Sequence, residues 1–433
     1  MRLSDKIRSH DAHVAVMGQG YVGLPLATEF AKAGFSVTGI DPDLSKVEAL
    51  NRGESYIPDV ESRTIRHLLE GGRYQATDSM EVLAEQDTII ICVPTPLRKT
   101  KDPDISFVYA SAAEIKKHLR AGQLIILEST TYPGTTKEIL LPMFEESGLK
   151  VGHDFFLAFS PERIDPGNHQ FQVRDIPKVV GGITSECSWM AALLYGQIVT
   201  RVLEVSSPTV AELAKLYENT FRSVNIALAN EFAIMCRHLG VSVWEVIEAA
   251  ATKPFGFMPF SPGPGIGGHC IPIDPIYLSW KLRLSGYEAR FIGLADEINR
   301  SMPRYVTELL MDGLNTRRKC LRGTRVLILG VAYKRGVGDM RESPALDVIS
   351  ELQRKGAEVS YADPFVHSLS HEGLDTPRTE LTPEVVRAAD GVVIVTDHRE
   401  FDYPMVVQNA DFIVDARNAT RGLTAPDGRI IRL

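Results

Sequence analysis

The stretch from His13 to Asp41 constrains this chain more than any other. HVAVM (13–17) is a short β-rich run, GQGYVGLPLATEFAKAG adds a glycine turn and a helical pattern, and FSVTGID closes with a second β-rich run. Strand, glycine turn, helix and strand form a βαβ unit. Within it, Gly18-Gln19-Gly20-Tyr21-Val22-Gly23 is a GxGxxG sequence set between strand and helix. The first glycine permits the tight turn, the second lets backbone approach a pyrophosphate, and the third allows close strand–helix packing at a helix N-terminus carrying partial positive charge. Asp41 follows 23 residues after Gly18, where a carboxylate accepts hydrogen bonds from an adenosine ribose and repels a 2′-phosphate. Residue types and spacing therefore point to NAD rather than NADP. The alternative is a glycine turn that serves packing alone.

Buried-strand patterns continue at 88–93, 124–128, 155–159 and 178–180, separated by helical patterns. Such alternation predicts a doubly wound parallel sheet. From Ser206 to about Ala250 the character changes. Val210, Leu213, Tyr217, Phe221, Val224, Leu228, Phe232 and Met235 recur at steps of three and four, a long amphipathic helix with Pro208 in its first turn. Further helical patterns and a glycine- and proline-rich loop (254–275) follow. A second α/β unit starts at 325, with strands expected at 392–396 and 411–415. The two α/β parts echo each other: the second strand of each ends in Asp-Pro, Asp41-Pro42 and Asp363-Pro364. The expected architecture is two Rossmann-like doubly wound parallel-sheet domains, 1–205 and 313–433, joined by an all-helical domain, 206–312.

Totals narrow the function classes. At 433 residues two or three domains are expected. A net charge of −8 gives no support for nucleic acid or an anionic membrane surface as partner. No signal peptide and no long apolar span is visible, which makes the cytoplasm the simplest address. Five scattered cysteines without a CxxC pair argue against a disulfide framework and a structural zinc site.

Several strand ends and helix faces carry candidate chemistry. Val93-Pro94-Thr95-Pro96 and Ser129-Thr130-Thr131-Tyr132-Pro133-Gly134 follow strands of the first α/β part, and ligands bind at the carboxyl ends of parallel strands. Taken singly, each is equally a proline- and threonine-rich turn. Lys215, Asn219 and Arg222 lie at i, i+4 and i+7, out of phase with the apolar stripe. They form either a functional face or a solvated one. In the C-terminal unit, Tyr333, Lys334, Arg335 and Arg341 crowd the turn where a phosphate-bearing ligand would sit, and Tyr333 is suited to stack on a base; the alternative is a basic surface loop. Ser343-Pro344 reads as N-cap and first helical position. PGPGIGGHCIPIDP (262–275) contains Cys270 beside His269. The ligand count and spacing of a metal site are missing there. On its residues alone, Cys270 is either a small loop residue or a thiol placed to become a nucleophilic thiolate.

The ordered set GQGYVGLPLA, VPTP, ESTTYPGT, SPERIDPGN, AELAKLYENTFRSVNIALANE, GPGIGGHCIPIDP and AYKRGVGDMRESPA resembles the UDP-glucose/GDP-mannose dehydrogenase family along the whole chain. That resemblance implies oxidation of the C6 alcohol of a nucleotide sugar to a carboxylate with two NAD. TKPFGFMPF and SPERIDPGN look most like the branch acting on UDP-N-acetylglucosamine. By resemblance Cys270 is the catalytic thiol: it captures the C6 aldehyde as a thiohemiacetal, which becomes a thioester that water releases. Lys215 and Asn219 match the pair that stabilises oxyanion charge. Asp274 matches a carboxylate that handles protons or orders water, and Glu162 the one assigned to hydrolysis.

The cofactor set implied is Gly18, Gly20, Tyr21, Val22, Gly23, Asp41, Pro94, Thr95, Ser129, Thr130 and Arg341. The UDP-sugar set is Glu162, Arg163, Lys215, Asn219, Arg222, Gly265, Gly267, Tyr333, Lys334 and Arg417. No metal is implied. The family is dimeric through its central helices, which fits an apolar connector. One departure stands out. The UDP-glucose branch commonly has lysine just before the aspartate matched by Asp274, and this chain has Ile273. Any electrostatic work of that lysine passes elsewhere, with Arg222 and Arg163 as candidates. Rival expectations are a UDP-glucose or UDP-N-acetylmannosamine 6-dehydrogenase, a one-step NAD-dependent alcohol dehydrogenase needing no cysteine, and a non-catalytic nucleotide sensor.

Overall fold

The computed structural model describes residues 1–98, 100–163, 173–371, 374–426 and 428–433. Most of the SPERIDPGN motif, from Ile164 onward, lies outside the described residues. Cα packing divides the chain into two compact units. One comprises Met1–Glu218 with Trp280–Ser285, the other Asn219–Ser279 with Gly286–Leu433.

The first unit is built on an eight-stranded sheet. Its strands are β1 (His13–Met17), β2 (Ser36–Ile40), β3 (Tyr74–Thr77), β4 (Thr88–Ile91), β5 (Leu124–Leu127), β6 (Phe156–Phe159), β7 (Lys178–Gly182) and β8 (Val202–Val205), in the order β3-β2-β1-β4-β5-β6-β7-β8. Alternation along each strand divides the core. Val14, Val16, Ile90, Leu124 and Ile126 enter one apolar cluster, while Ala15, Met17, Ile89, Ile91, Ile125 and Leu127 enter another on the opposite face. Both faces are covered, so these strands read as continuous apolar runs. The edge strands β3 and β8 are half-exposed, and their mixed YQAT and VLEV sequences give no such run. The sheet is the doubly wound parallel one expected, apart from one pair of strands. β6 and β7 pair antiparallel, Ala158 opposite Gly182 and Phe159 opposite Gly181. Strand order turns around between β1 and β4, which places a crevice at their carboxyl ends.

The second unit carries helices Val243–Ala251, Asp274–Arg283 in part and Arg290–Thr316, together with a second sheet. Its strands are β9 (Arg325–Leu329), β10 (Glu358–Ala362), a short hairpin β11 (Ser370–His371) and β12 (Leu374–Asp375), β13 (Gly391–Ile394), β14 (Ile413–Asp415) and β15 (Ile430–Arg432). The five-stranded sheet β10-β9-β13-β14-β15 is parallel throughout. Val326, Ile328 and Val393 face one cluster, and Leu327, Leu329, Val392 and Ile394 the other. Ser343 caps helix Pro344–Arg354 through the Ala345 N–H, as its Ser-Pro start implies.

Helix Pro208–His238 reverses the usual amphipathic rule. Its apolar stripe is exposed, Tyr217 at 72% and Leu228 at 59%, while Glu212, Lys215, Asn219, Ser223 and Asn230 on the other face are buried. A polar face that avoids water has a structural or chemical task. An apolar face left in water calls for a covering surface. No helix among the described residues is long and apolar enough to cross a membrane.

Candidate active site

In the first unit the three glycines of the GxGxxG turn do different jobs. Gly18 has φ +91°, and a Cβ there would lie 2.4 Å from the Cys92 carbonyl oxygen. At Gly23 a Cβ would lie 1.8 Å from the Gly18 carbonyl oxygen. Nothing lies within 4 Å of a Cβ built on Gly20. Two glycines are thus required by packing, and the third faces open space where a diphosphate can approach the backbone.

Asp41, just after β2, is buried and accepts from the Gln19 N–H at 2.9 Å, with Lys46 Nζ at 3.3 Å. Gln19 itself is fully buried. Its amide donates to the Val16 carbonyl and accepts from Tyr74 Oη, and Tyr56 Oη donates to its backbone carbonyl. The variable second position of the motif is therefore a fixed part of the cradle, a role its place in GxGxxG hides. Tyr21 and Val22 lie half-buried at the start of helix Gly23–Lys32. Thr95 and Ser129 are buried and Pro94 is exposed beyond β4. Ser129 Oγ donates to the Val93 carbonyl at 2.7 Å, tying the ends of β4 and β5 together, and Thr130 follows it half-buried. These residues fit NAD: an open glycine, a helix N-terminus and a buried carboxylate stand at a switch point.

At the ends of β5, β6 and β7 buried charges gather. Glu128 follows β5, Lys178 starts β7, and Glu162 follows β6. The Lys178 ammonium pairs with Glu128 and lies 3.6 Å from Glu162 Oε2. Tyr195 Oη donates to Glu128. Burial pushes the Glu128 carboxyl up to about 7; Lys178 opposes this and Glu162 adds to it. Burial and the two carboxylates likewise push the Cys92 thiol up. Lys215 Nζ donates to the Glu162 carbonyl at 2.5 Å, so Lys215 and Glu162 are brought together. Arg163 instead pairs with Glu218 at 2.7 Å. Glu212, on the same buried helix face as Lys215, accepts from the N–H groups of Gly134 and Thr136 and anchors the loop after β5.

In the second unit Cys270 is exposed. The helix expected near it begins at Asp274, after one turn in which the Cys270 carbonyl accepts from the Asp274 N–H at 2.8 Å. Asp274 is buried, and Asn219 Nδ2 donates to its Oδ2 at 2.5 Å. Asn219 and Asp274 are thus joined directly, while Arg222, one turn along from Asn219, is exposed. Ile273 is buried. The glycine loop is held by residues that sequence reading passed over. Asn230 Oδ1 accepts from the Gly263 N–H, and its amide donates to Asn299.

Gly265 has φ +127°, and a Cβ there would crowd Asn299 and Pro344. At Gly267 a Cβ would lie 2.6 Å from Tyr333 Cβ, and at Gly268 2.8 Å from the Tyr333 ring. Tyr333 thus packs on the glycine loop. Burial, and then Arg341, push the His269 imidazole down. Arg341 pairs with Asp339 at 2.6 Å, Lys334 is half-buried, and Arg335 pairs with Asp397. Arg417 donates to the Val395 carbonyl at 3.0 Å, and burial followed by Arg335 pulls its guanidinium down to about 10. A desolvated arginine of this kind is stabilised by an arriving anion.

The two Asp-Pro corners do the same job in different degree. Asp363, after β10, accepts from the N–H groups of Val331, Ala332, Phe365 and Val366 and from His398 Nε2. Its lone pairs are taken up by the turn, so the second sheet does not repeat the ribose site of the first.

Comparison with known proteins accounts for this layout. Residues 12–199, 209–301 and 327–422 match, in turn, the NAD binding, central and UDP binding domains of the UDP-glucose/GDP-mannose dehydrogenase family. The chain belongs to this family. It is 38% identical over 395 residues to UDP-N-acetyl-D-glucosamine 6-dehydrogenase of Pseudomonas aeruginosa, covering 90% of this chain and 92% of the relative. It is 37% identical over 391 residues to UDP-N-acetyl-D-mannosamine dehydrogenase of Pyrococcus horikoshii, covering 90% of each. The solved structure of a UDP-D-ManNAc dehydrogenase from Pyrococcus horikoshii superposes with a TM-score of 0.89 at 34% identity, covering 97% of this chain and 98% of that one. The enzyme is an NAD-dependent nucleotide-sugar 6-dehydrogenase with a UDP binding domain at its C-terminal end.

Proposed function

We propose that the enzyme oxidises the C6 hydroxyl of UDP-N-acetylglucosamine to the uronate through a cysteine-bound thioester. The observation that carries this reading is an exposed thiol, Cys270, set one turn before a buried Asn219–Asp274 pair. Bound NAD would supply the oxidising power for both oxidations, and Gly18, Gly20, Tyr21, Val22, Gly23, Asp41, Pro94, Thr95, Ser129, Thr130 and Arg341 are the residues that would hold it. Cys270 sulfur adds to the aldehyde carbon, which keeps a reactive intermediate bound until the second oxidation. Lys215 and Asn219 donate to the oxygen as it gains charge, and Asp274 orders the proton on that oxygen. Glu162 takes a proton from water as it attacks the thioester carbon; the C–S bond breaks and the thiolate leaves.

Glu162, Arg163, Arg222, Gly265, Gly267, Tyr333, Lys334 and Arg417 would make up the remaining UDP-sugar contacts. The functional domains are 1–205 for the cofactor, 206–312 for assembly and 313–433 for the nucleotide. The exposed stripe of helix Pro208–His238 supports a homodimer. We place the enzyme in the cytoplasm.

UDP-N-acetylmannosamine is the second reading, favoured by the likeness to dehydrogenases named for that sugar. Ile273 speaks against UDP-glucose, since no lysine stands beside Asp274. Incubation with NAD and each UDP-sugar in turn tests the proposal. Two NADH per UDP-N-acetylglucosamine, with the corresponding uronate as product, is the expected result. One NADH per sugar would replace it with a simple alcohol dehydrogenase.

A further inference from the structure

Two buried carboxyl groups and one buried ammonium occupy the ends of adjacent strands in the first unit, and the reaction as described uses only one of them. Glu128 and Lys178 are, respectively, 1% and 7% exposed, and Glu162 is 7% exposed. Lys178 Nζ pairs with Glu128 and lies 3.6 Å from Glu162 Oε2, so one ammonium stands between two buried carboxyl groups. With both groups ionised the cluster would hold a net negative charge out of water, which is costly. With one shared proton it is neutral.

The surroundings leave few other charges to settle the balance. Tyr195 Oη donates to Glu128 from helix Ser185–Tyr195. The Cys92 thiol faces the cluster from the end of β4 and is held protonated by burial. Lys215, from helix Pro208–His238, reaches the Glu162 carbonyl. Burial disfavours the charged Lys178, but the two carboxylates outweigh it and hold its ammonium above the ordinary value.

We propose that Glu128 and Lys178 are positioning residues for the hydrolytic step, sharing a single proton among the carboxyl pair so that its loss makes Glu162 available as the base. In this arrangement the pair titrates as one unit. The proton taken from the attacking water enters the pair and is returned to solvent between turnovers, with no change in oxidation state. The inference rests on the reading of Glu162 as the hydrolytic base.

The test is the pH dependence of kcat for uronate release in Glu128→Gln and Lys178→Gln, with NAD affinity and near-UV circular dichroism as checks on the fold. Removing the second carboxyl leaves Glu162 alone with Lys178, so the acid limb of Glu128→Gln moves down by about one pH unit or more. Removing the ammonium moves the limb of Lys178→Gln up by a similar amount, and Lys178→Arg restores it. A group that served only packing would change kcat or melting temperature without moving the limb. If either folded variant keeps the limb of the parent enzyme, the inference is overturned. If neither folds, the cluster belongs to stability alone and the inference is equally overturned. Glu162→Gln separates the two levels. Undiminished uronate release by that variant removes the reading of Glu162, whereas blocked release with an unmoved limb in Glu128→Gln removes only the role given to Glu128.

Discussion

Asn219 and Asp274 are bonded side chain to side chain at 2.5 Å, and both are almost wholly buried. They lie 55 residues apart in sequence, one on the long helix and one at the first position of a helix that follows the cysteine turn. The amide orients the carboxylate, and the carboxylate fixes which way the amide points. Asn219→Ala leaves a buried carboxylate short of a donor, which costs about 1–3 kcal/mol. Asn219→Asp sets two carboxyl groups against each other, and they must then share a proton. Its stability should therefore fall as pH rises through neutrality, while the parent enzyme does not show that fall. Urea unfolding at several pH values checks both.

The glycine turn allows a sharp contrast. Gly18→Ala forces a methyl against the Cys92 carbonyl at a positive φ. It should destabilise the first unit by about 1–3 kcal/mol from backbone strain alone. Gly20→Ala meets nothing within 4 Å, so its melting temperature should hold while NAD affinity drops, on the order of tenfold or more. Calorimetric binding and thermal melts on the two variants separate a packing glycine from a ligand-facing one. Equal losses of NAD affinity and stability in both would contradict the division.

Much of this was legible in the sequence, for reasons visible in particular residues. Strands β4 and β5 are apolar on both faces, so they announce themselves; β3 and β8 sit at sheet edges with mixed sequences and do not. The Asp-Pro echo at Asp41 and Asp363 marks a true structural correspondence, yet only the coordinates reveal that Asp363 is saturated by its own turn. Periodicity located the long helix and separated its two faces. It did not say which face is buried, because the apolar face is the exposed one. Glu162 was read from the sequence, but its partners Glu128 and Lys178 were missed, although Glu128 left a trace. Glu128 closes the apolar run LIILE, where a solvated carboxylate would be out of place. Asn230 and Asn299 left none, since their pairing spans 69 residues.

Cys270→Ala tests covalent capture. The exposed side chain contributes little to packing, so the variant should fold normally and bind NAD and UDP-sugar with near-parent affinity. Uronate production should be lost by a factor of at least about 10³, as for removal of a nucleophile. Product analysis by mass spectrometry is the readout, and normal uronate yield would eliminate the thioester route.

The exposed stripe predicts assembly. Tyr217, Leu228 and Phe232 stand at helical spacing and are 72%, 59% and 38% exposed in the isolated chain. Tyr217→Arg with Leu228→Glu should convert the proposed dimer to monomer, seen by sedimentation velocity, because two charges would be desolvated in each copy of the interface. A monomeric parent enzyme would refute the assembly proposal outright.

The Asp363–His398 corner makes a prediction about acid stability. Burial raises the Asp363 carboxyl, but the His398 bond and the N–H groups of Val331 and Phe365 outweigh it and hold the group below its ordinary value. A carboxyl depressed in the folded state stabilises the fold above its unfolded value of about 3.9. That contribution fades as pH falls through the folded value, because both states are then protonated. Asp363→Asn should therefore be less stable than the parent at neutral pH, and the gap should narrow below about pH 4. Denaturant midpoints for the two proteins, compared over that range, provide the measurement. A gap that stays constant with pH would mean that the corner acts through shape alone.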